Sequence, residues 1–548
     1  MKNKNKVLVI GVDGATFDLI KPWVAQDKLP TFAKLMRGGA SGNLMSTPNA
    51  NSASAWTSFA TGNNPGKHGI YYFDELVYGT YQKRYINSSF RKSKTLWNYV
   101  SDAGKKVVVI NVPMTFPADE LDGIMIAGVD TPGIWSKGFT FPVSFFKELQ
   151  AVIKDYTIEA DVPHLIKAGK KNSAVTSLFE TIDKRYEATK YLMKRYPWDL
   201  FVVVFTATDS VQHFFWDDMD PDFDSVIFQI YKRIDDVISR ILENAGDSST
   251  VILSDHGGGF NQRGAEYLNV WLNEMGLLRY KETNKVEKKL MRGFDAVYRF
   301  VDRVFSRKAK QKLAKLLPGI REKVEAATHF QNIEWSLTKA FSDGSRDEIW
   351  INMKGREPEG IVEQGEEYEK LRDFIIHELS QCCDIKTGKK VAKRVFRREE
   401  IYSGKHVSKA PDIYVDWQRE FIISGLQNRD QSLSFKHYKH IKPPIWSGGH
   451  RENGILIISG SMVKKNLELI NSNIIDVTPT ILYLLGLPIP NDIDGRIIQD
   501  AIDDDYLKNH APLYKSIETD SEKAMEKDYS DEEADKIKKK LKTMGYID

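Results

Sequence analysis

The chain has 548 residues, 41% hydrophobic and 28% charged, which is enough for a large core and more than one domain. A formal net charge of +3 argues against a protein whose main partner is nucleic acid. The only two cysteines, Cys382 and Cys383, are adjacent, which excludes a disulfide framework and does not match the spacing of a zinc site. The apolar run at residues 7–12 is too short for a signal peptide, and no window is long enough to span a membrane. We therefore expect a cytoplasmic protein without a nucleic-acid partner.

Apolar, β-branched segments alternate with amphipathic ones over the first half of the chain. A buried strand is predicted at residues 6–12 and ends at Asp13 and Gly14. Further strands are predicted at 106–110, 200–205 and 250–253, separated by helices at 16–25, 32–37, 95–103, 173–195 and 223–243. This rhythm predicts an α/β fold with a doubly wound, mostly parallel sheet flanked by helices.

The stretch from Ser46 to Ile70 contains the candidate nucleophile. A Pro/Asn/Ser turn precedes a short apolar helix at residues 53–60, which the Gly- and Asn-rich residues 62–66 end. The hydroxyl of Ser52 would lie at the start of this helix, where free N–H groups and the helix dipole stabilise an attacking oxygen and a phosphoryl group. Ser52 is therefore the candidate nucleophile. The alternative is that it is only a helix N-cap.

A basic helical segment interrupts the pattern in the middle of the chain. Residues 274–324 have helical spacing, and from Lys281 to Val324 fourteen Lys or Arg accompany five Asp or Glu, a local charge of +9 (14 minus 5). One interpretation is packing on the catalytic domain with the basic side chains in solvent. The other is a cap that docks on anionic membrane.

The α/β pattern resumes after this segment. Strands are predicted at 347–352, near 410–415 and at 454–458, with helices at 366–379 and 473–485. Ser530, with Glu533 three residues later, predicts a terminal helix that begins with a capping box. We expect a catalytic domain over residues 1–273 and 331–505, a basic helical insertion or cap over 274–330, and a polar tail over 506–548.

Groups that can bind metal or attack phosphorus occur at five separate places, at predicted strand ends or in tight turns. In an open parallel sheet the carboxyl ends of the strands share one edge, so these groups can converge. Each alone has an ordinary interpretation as a turn, a cap or a loop, but together they form the mixed oxygen and nitrogen ligand set of two zinc-like ions. Two ions about 4 Å apart could hold the attacking and leaving oxygens of a phosphoryl displacement. The residues are Asp13, Ser52, Asp209, His213, Asp255, His256 and His450.

Five segments resemble the type I phosphodiesterase/nucleotide pyrophosphatase family of the alkaline phosphatase superfamily. They are VIGVDGATFD, the Ser46–Ile70 stretch, TATDSVQH, LSDHGGG and SGGHRENGILI, and the likeness extends to GREPEGIV, IDVTPTILYLLGLPIPNDIDG and the terminal GYID. The resemblance implies an alkaline phosphatase-like fold with a helical insertion. It also implies a two-metal hydrolase of phosphodiesters or pyrophosphates that acts on a small phosphodiester, a nucleotide or a lipid-linked phosphate.

The resemblance also implies a role for each candidate residue. Asp209, His213 and His450 would hold one ion, and a second group would hold the other, with zinc expected and manganese as the alternative. The second group is Asp13, Asp255 and His256, with Ser52 bridging as the nucleophile that forms a phosphoseryl intermediate.

Two departures from related patterns leave alternatives open. Where animal nucleotide pyrophosphatases have a phosphate-binding Asn three residues after the nucleophile, this chain has Ala55, which puts nucleotide specificity in doubt. The Pro and Arg that sulfatases need after their nucleophile are missing, which disfavours a sulfatase. A phosphomonoesterase or phosphomutase remains an alternative within the same chemistry. A non-catalytic, metal-stabilised membrane-binding module is the alternative from another class.

Overall fold

The computed structural model describes residues 5–218, 225–281, 330, 332–428, 446–516 and 526–544. A nine-stranded sheet organises the chain, and smaller sheets contain the other strands. The strands are β1 Val7–Val12, β2 Gly39–Met45, β3 Asp74–Leu76, β4 Lys83–Tyr85, β5 Val107–Ile110, β6 Gly123–Ile126, β7 Thr140–Phe141, β8 Leu200–Phe205, β9 Ser249–Leu253, β10 Gly257–Phe260, β11 Ala340–Phe341, β12 Glu348–Ile351, β13 Cys383–Asp384, β14 Ala392–Arg397, β15 Ile413–Trp417, β16 Leu426–Gln427, β17 Gly448–Arg451, β18 Asn453–Ser459, β19 Leu467–Asn473, β20 Ile489–Pro490 and β21 Tyr514–Lys515.

Helices cover both faces of this sheet. The helices are α1 Phe17–Ala25, α2 Pro30–Gly38, α3 Ser52–Thr61, α4 Pro65–His68, α5 Leu96–Asp102, α6 Phe145–Val152, α7 Val162–Lys167, α8 Lys171–Arg195, α9 Ala207–Phe215, α10 Val226–Ala245, α11 Leu268–Glu274, α12 Glu366–Gln381, α13 Arg398–Ile401, α14 Val477–Leu484, α15 Asp504–Asn509 and α16 Asp531–Met544. Helices α1, α2, α8 and α10 bury residues in the core on one face, and α3, α5 and α14 in the core on the other.

The order of the sheet is β19-β2-β18-β9-β1-β8-β5-β6-β7. Strand β1 pairs in parallel with β8 and β9, and all its residues are buried. Leu8 and Ile10 contribute to one core, and Val7 and Val9 to the other, which explains why the strand is an uninterrupted apolar run. Strand β18 runs antiparallel to both neighbours, β2 and β9. The doubly wound, mostly parallel α/β fold predicted from the sequence is confirmed.

A second, smaller sheet lies in the later part of the chain. Its antiparallel order is β11-β12-β15-β14, and α12 packs with it around a core that includes Trp271, Ile349 and Val415. The strands predicted at 347–352 and near 410–415 form as β12 and β15, but they join this sheet and not the nine-stranded one.

The prediction of a basic helix from residue 274 onward is wrong for those of its residues that the structure describes. Helix α11 ends at Glu274, because Gly276 adopts a φ of +72° that turns the chain, and Tyr280 then forms a β-bridge with Ile333. Residues 282–329 lie outside the described residues, so the insertion and its membrane contact stay predictions. Among the described helices, none has the length and apolar content needed to cross a bilayer.

The terminal helix forms at the expected place. The backbone N and the hydroxyl of Ser530 donate to Glu533 Oε2 at 3.0 and 2.8 Å, which is the interaction that the capping signature predicts. Ile537 and Leu541 of α16 are buried in the core that β1 also lines, and Tyr529 donates to Asp130 O at 2.7 Å. Helix α16 and Tyr529 therefore pack in the same core as β1.

Candidate active site

The predicted residues meet at one edge of the nine-stranded sheet. Asp13 directly follows β1, Asp255 follows β9 by two residues, and α9 with Asp209 and His213 follows β8. Because β18 runs antiparallel to these strands, its beginning lies at their carboxyl edge, and His450 just before it reaches the same place. The structure thus brings together residues from opposite ends of the chain.

One group consists of Asp209, His213 and His450. His213 Nε2 lies 3.3 Å from Asp209 Oδ1 and 3.0 Å from His450 Nε2, and His450 Nε2 lies 3.6 Å from Asp209 Oδ1. Asp209 and His213 are four residues apart on α9, so both point from the same face of the helix. The three candidate ligand atoms therefore lie within 3.6 Å of one another.

A second group consists of Asp13, Asp255 and His256, with Ser52 beside it. His256 Nε2 lies 3.3 Å from Asp255 Oδ2, 3.8 Å from Asp13 Oδ1 and 3.1 Å from Ser52 Oγ. The His256 and His450 rings stack with centroids 3.7 Å apart, which joins the two groups. All seven residues predicted from the sequence therefore lie in a single cluster.

The three histidines share one tautomer. Nδ1 of His213, His256 and His450 donates to the carbonyl oxygens of Gly448, Gly257 and Ala50, respectively. Because a carbonyl oxygen can only accept, each Nδ1 carries a proton, and in the neutral ring Nε2 is then the nitrogen that can bind a metal. Nε2 of His213 and Nε2 of His450 lie 3.0 Å apart, an arrangement that a shared cation would stabilise.

The carboxylates of the site are deeply buried. Burial raises the pKa of Asp13, and the charges of Asp255 and Asp209 raise it further. Burial also raises the pKa of Asp255, whereas at Asp209 the effect of burial is outweighed by His213, which lowers the pKa. Asp13 Oδ1 and Asp255 Oδ2 have no hydrogen-bond partner within the described residues. The oxygen and nitrogen donors thus fit divalent cations, which would compensate the buried charge.

Ser52 is the first residue of α3 and not its N-cap. The cap is Asn51, whose Oδ1 accepts from Ala53 N at 3.0 Å. The interpretation of Ser52 as a mere N-cap is therefore wrong, and its hydroxyl is left to contact His256. Two residues later, Ser54 Oγ donates to Asn49 Oδ1 at 2.6 Å and lies 2.8 Å from Thr47 Oγ1. The Ser54 hydroxyl therefore stabilises the turn.

A model of the family described as type I phosphodiesterase/nucleotide pyrophosphatase matches residues 7–440, which include every member of the cluster except His450. The chain belongs to this family. It is accordingly a phosphoric ester hydrolase, and the non-catalytic alternative is not supported. No curated protein matches the chain at a significant level.

Two solved structures are similar to this family member over most of its length. Phosphonoacetate hydrolase from Sinorhizobium meliloti 1021, in complex with phosphonoformate, has a TM-score of 0.50 and 12% identity, covering 88% of this chain and 95% of its own. Human ectonucleotide pyrophosphatase/phosphodiesterase 5 has a TM-score of 0.49 and 14% identity, covering 91% of this chain and 100% of its own. The first likeness shows an alkaline phosphatase-like fold.

Two residues that support the cluster are not predicted from the sequence. Trp56 is fully buried, and its Nε1 donates to Asp13 Oδ2 at 2.9 Å. Gln212 Nε2 donates to Gly14 O at 2.8 Å, which connects α9 to the end of β1. Each sits within one helical turn of a predicted residue, but nothing in the sequence indicates which way its side chain points.

A cavity of about 420 Å³ adjoins the cluster on the side of His213 and His450. Its opposite wall comes from the second sheet and its loops, with residues that include Arg346, Trp417 and Arg419. The phosphodiesterase-family site therefore adjoins a cavity, lined in part by the second sheet, that is large enough for a substituent on a phosphate.

Proposed function

We propose that this protein is a two-metal hydrolase that cleaves a phosphodiester or pyrophosphate bond through a phosphoseryl intermediate on Ser52. The observation that carries the proposal is the position of Ser52 Oγ, 3.1 Å from His256 Nε2, inside a cluster of three aspartates and three histidines. A hydroxyl at the N-terminal end of a helix, beside a dense set of metal donors, is suited to attack phosphorus.

The donor set divides into two sites. Asp209, His213 and His450 would hold one divalent ion. Asp13, Asp255 and His256 would hold the other, with Ser52 shared between the ions. Zn²⁺ suits this mixture of carboxylate and imidazole, and Mn²⁺ is the alternative. When bound, such ions neutralise phosphoryl oxygens and lower the pKa of a hydroxyl.

The proposed reaction has two steps, and Ser52 takes part in both. Ser52 Oγ forms a bond to phosphorus while the bond to the leaving oxygen breaks, and the proton of the hydroxyl ends on the departing group. The phosphoseryl intermediate keeps the second ester group of a diester. Water then attacks phosphorus, the bond to Ser52 breaks, and Ser52 regains its proton. The helix N-terminus at Ser52 stabilises the negative charge throughout.

The cavity favours a substrate with a substituent on phosphorus. A volume of about 420 Å³ next to His213 and His450 accommodates an alcohol or a nucleotide, in keeping with the small phosphoesters on which the family acts. Ala55 is fully buried in α3 and offers no donor, so specificity for nucleotides does not follow. The alternative to this proposal is that the protein is a phosphomonoesterase or a phosphomutase.

The experiment compares hydrolysis of bis(p-nitrophenyl) phosphate with that of p-nitrophenyl phosphate by wild-type protein, Ser52→Ala and Ser54→Ala. We expect preference for the diester, loss of turnover in Ser52→Ala and substantial activity in Ser54→Ala, because Ser54 is committed to the turn. Preference for the monoester would replace the proposed substrate class. Activity that survives Ser52→Ala but not Ser54→Ala would contradict the assigned nucleophile.

A further inference from the structure

Asn51 directly precedes the nucleophile, lines the cavity and carries a side-chain amide donor. We propose that Asn51 is a catalytic residue whose amide Nδ2 donates a hydrogen bond to a non-bridging oxygen of the phosphoryl group as Ser52 attacks. The inference rests on the proposed function. It assigns to the residue before the nucleophile the role of a neutral hydrogen-bond donor to the substrate.

The orientation of the Asn51 amide follows from its hydrogen bonds. Oδ1 accepts from Ala53 N at 3.0 Å, and a backbone N–H can only donate, so the oxygen of the amide must face the helix. The backbone oxygen of Asn51 accepts from Ala55 N at 2.8 Å and from the Ser54 hydroxyl at 3.2 Å. The remaining polar group of the side chain is Nδ2, which makes no hydrogen bond within the described residues.

The surroundings of Asn51 place this donor at the reaction site. Asn51 is only 8% exposed, and it lines the cavity together with Ala50, His213 and His450. It is covalently joined to Ser52, whose hydroxyl reaches His256. A phosphoryl group attacked by Ser52 would therefore have its oxygens close to the side chain of the preceding residue.

The turn that carries Asn51 is held rigidly. Ala50 has a φ of +40°, which is unfavourable for a residue with a Cβ, and its N donates to Thr47 O at 2.8 Å. His450 Nδ1 donates to Ala50 O at 2.7 Å, so a candidate metal ligand fixes the residue next to Asn51. The strained turn thus presets the position of the amide and reduces reorganisation during the reaction.

The other asparagine of the turn does not have a donor to spare. Asn49 Oδ1 accepts from Thr47 and Ser54, and Asn49 Nδ2 donates to Tyr71 O at 2.7 Å. Its side chain is used to brace the turn. Of the two asparagines, Asn51 is therefore the one suited to contact substrate.

The test uses Asn51→Ser and Asn51→Asp in the full chain. Serine and aspartate cap helices as well as asparagine does, but neither offers the amide donor. We expect kcat for bis(p-nitrophenyl) phosphate to fall about a hundredfold in Asn51→Ser, the usual effect of removing one transition-state donor, and further in Asn51→Asp, whose carboxylate repels the phosphoryl oxygens. Affinity for orthovanadate should fall in parallel, while KM, metal content and Tm change little.

Asn64→Ser is the matched control. Asn64 also caps a helix, with Oδ1 accepting from Gly66 N at 2.9 Å, but its Nδ2 is already bonded to Asp494 and Ser403. This variant should keep its kcat and its affinity for vanadate.

Near-native kcat and vanadate affinity in Asn51→Ser would overturn the inference while leaving the proposed function intact. A loss of activity that accompanies a loss of bound metal or a lowered Tm would overturn it too, because Asn51 would then act through the structure. Turnover by Ser52→Ala is the separate result that contradicts the proposed function itself.

Discussion

Ser52 Oγ lies 3.1 Å from His256 Nε2, although the two residues are 204 positions apart in the chain. Strand β2 leads into the turn before Ser52, and β9 leads to His256, and both strands pair with β18. The contact is therefore a product of the sheet and not of local sequence. The same pairing brings His450, just before β18, to the cluster.

Removal of divalent ions should abolish activity and lower the Tm. Asp13, Asp209 and Asp255 are all buried within one cluster, and without cations their charges repel. Ions that bind the folded state alone also stabilise it by mass action. Chelation followed by dialysis should remove turnover, and Zn²⁺ or Mn²⁺ should restore it. Activity in fully metal-free protein would contradict the two-metal proposal.

Trp56→Phe should weaken metal binding. The substitution keeps an aromatic ring in the core but removes the Nε1 donor that holds Asp13 Oδ2 at 2.9 Å. Loss of a group that orients a metal ligand typically lowers affinity about 10- to 100-fold, which metal titration of the chelated protein would measure. Trp97→Phe is the control, since Trp97 is also buried and donates to Asp119 Oδ2, away from the cluster. Equal metal affinity in both variants would argue against the role of Trp56.

Gly14→Ala should nearly eliminate turnover. Gly14 has a φ of +66°, and a Cβ there would lie 2.9 Å from Asp209 Oδ1, so the carboxylate would have to move. Gly104→Ala is the control because Gly104 has a similar φ of +72° but no atom within 4 Å of the added carbon. We expect the control to lose about 1 kcal/mol of stability and to keep its activity. Comparable kcat values in the two variants would contradict the assigned position of Asp209.

Glu348→Gln should change how stability depends on pH. Glu348 is 1% exposed, and burial raises its pKa from 4.5 to about 7, although Arg346 opposes the effect. With a raised pKa in the folded state, the wild-type free energy of unfolding falls as pH rises from about 4.5 to about 7, by about 3 kcal/mol at most. The Tm of Glu348→Gln relative to wild type should therefore increase from pH 5 to pH 8.

Glu363→Gln provides the comparison for this pH dependence. Glu363 forms an exposed ion pair with Lys354, so its replacement should leave the wild-type profile unchanged. A Tm difference between Glu348→Gln and wild type that is constant from pH 5 to pH 8 would contradict the raised pKa.

The elements that the sequence predicts well are those with a strong local signal. The segment at 200–205 matches β8 residue for residue, because a run of six apolar residues that is rich in Val and Phe favours a buried strand. Asp13, Asp209 and Asp255 could be assigned to the site because they follow such runs, and parallel strands end at one edge. In these cases the local pattern and the tertiary structure agree.

Features that depend on distant backbone were not predictable. Strand β2 has the sequence GASGNLM, which has low strand propensity, yet its glycines are needed. A Cβ at Gly39 or Gly42 would lie 2.1 or 2.2 Å from the carbonyl oxygens of Ile458 or Leu469. The contact between Trp56 and Asp13 and the capping of α3 by Asn51 likewise depend on how the turn meets the sheet.

The stereochemical course at phosphorus tests the central claim most directly. Hydrolysis through a phosphoseryl intermediate involves two in-line displacements, first by Ser52 and then by water, and each inverts the configuration. A chiral phosphorothioate diester hydrolysed in heavy-oxygen water should therefore give product with net retention. Net inversion would show that water attacks the substrate directly, and the role assigned to Ser52 would then be wrong.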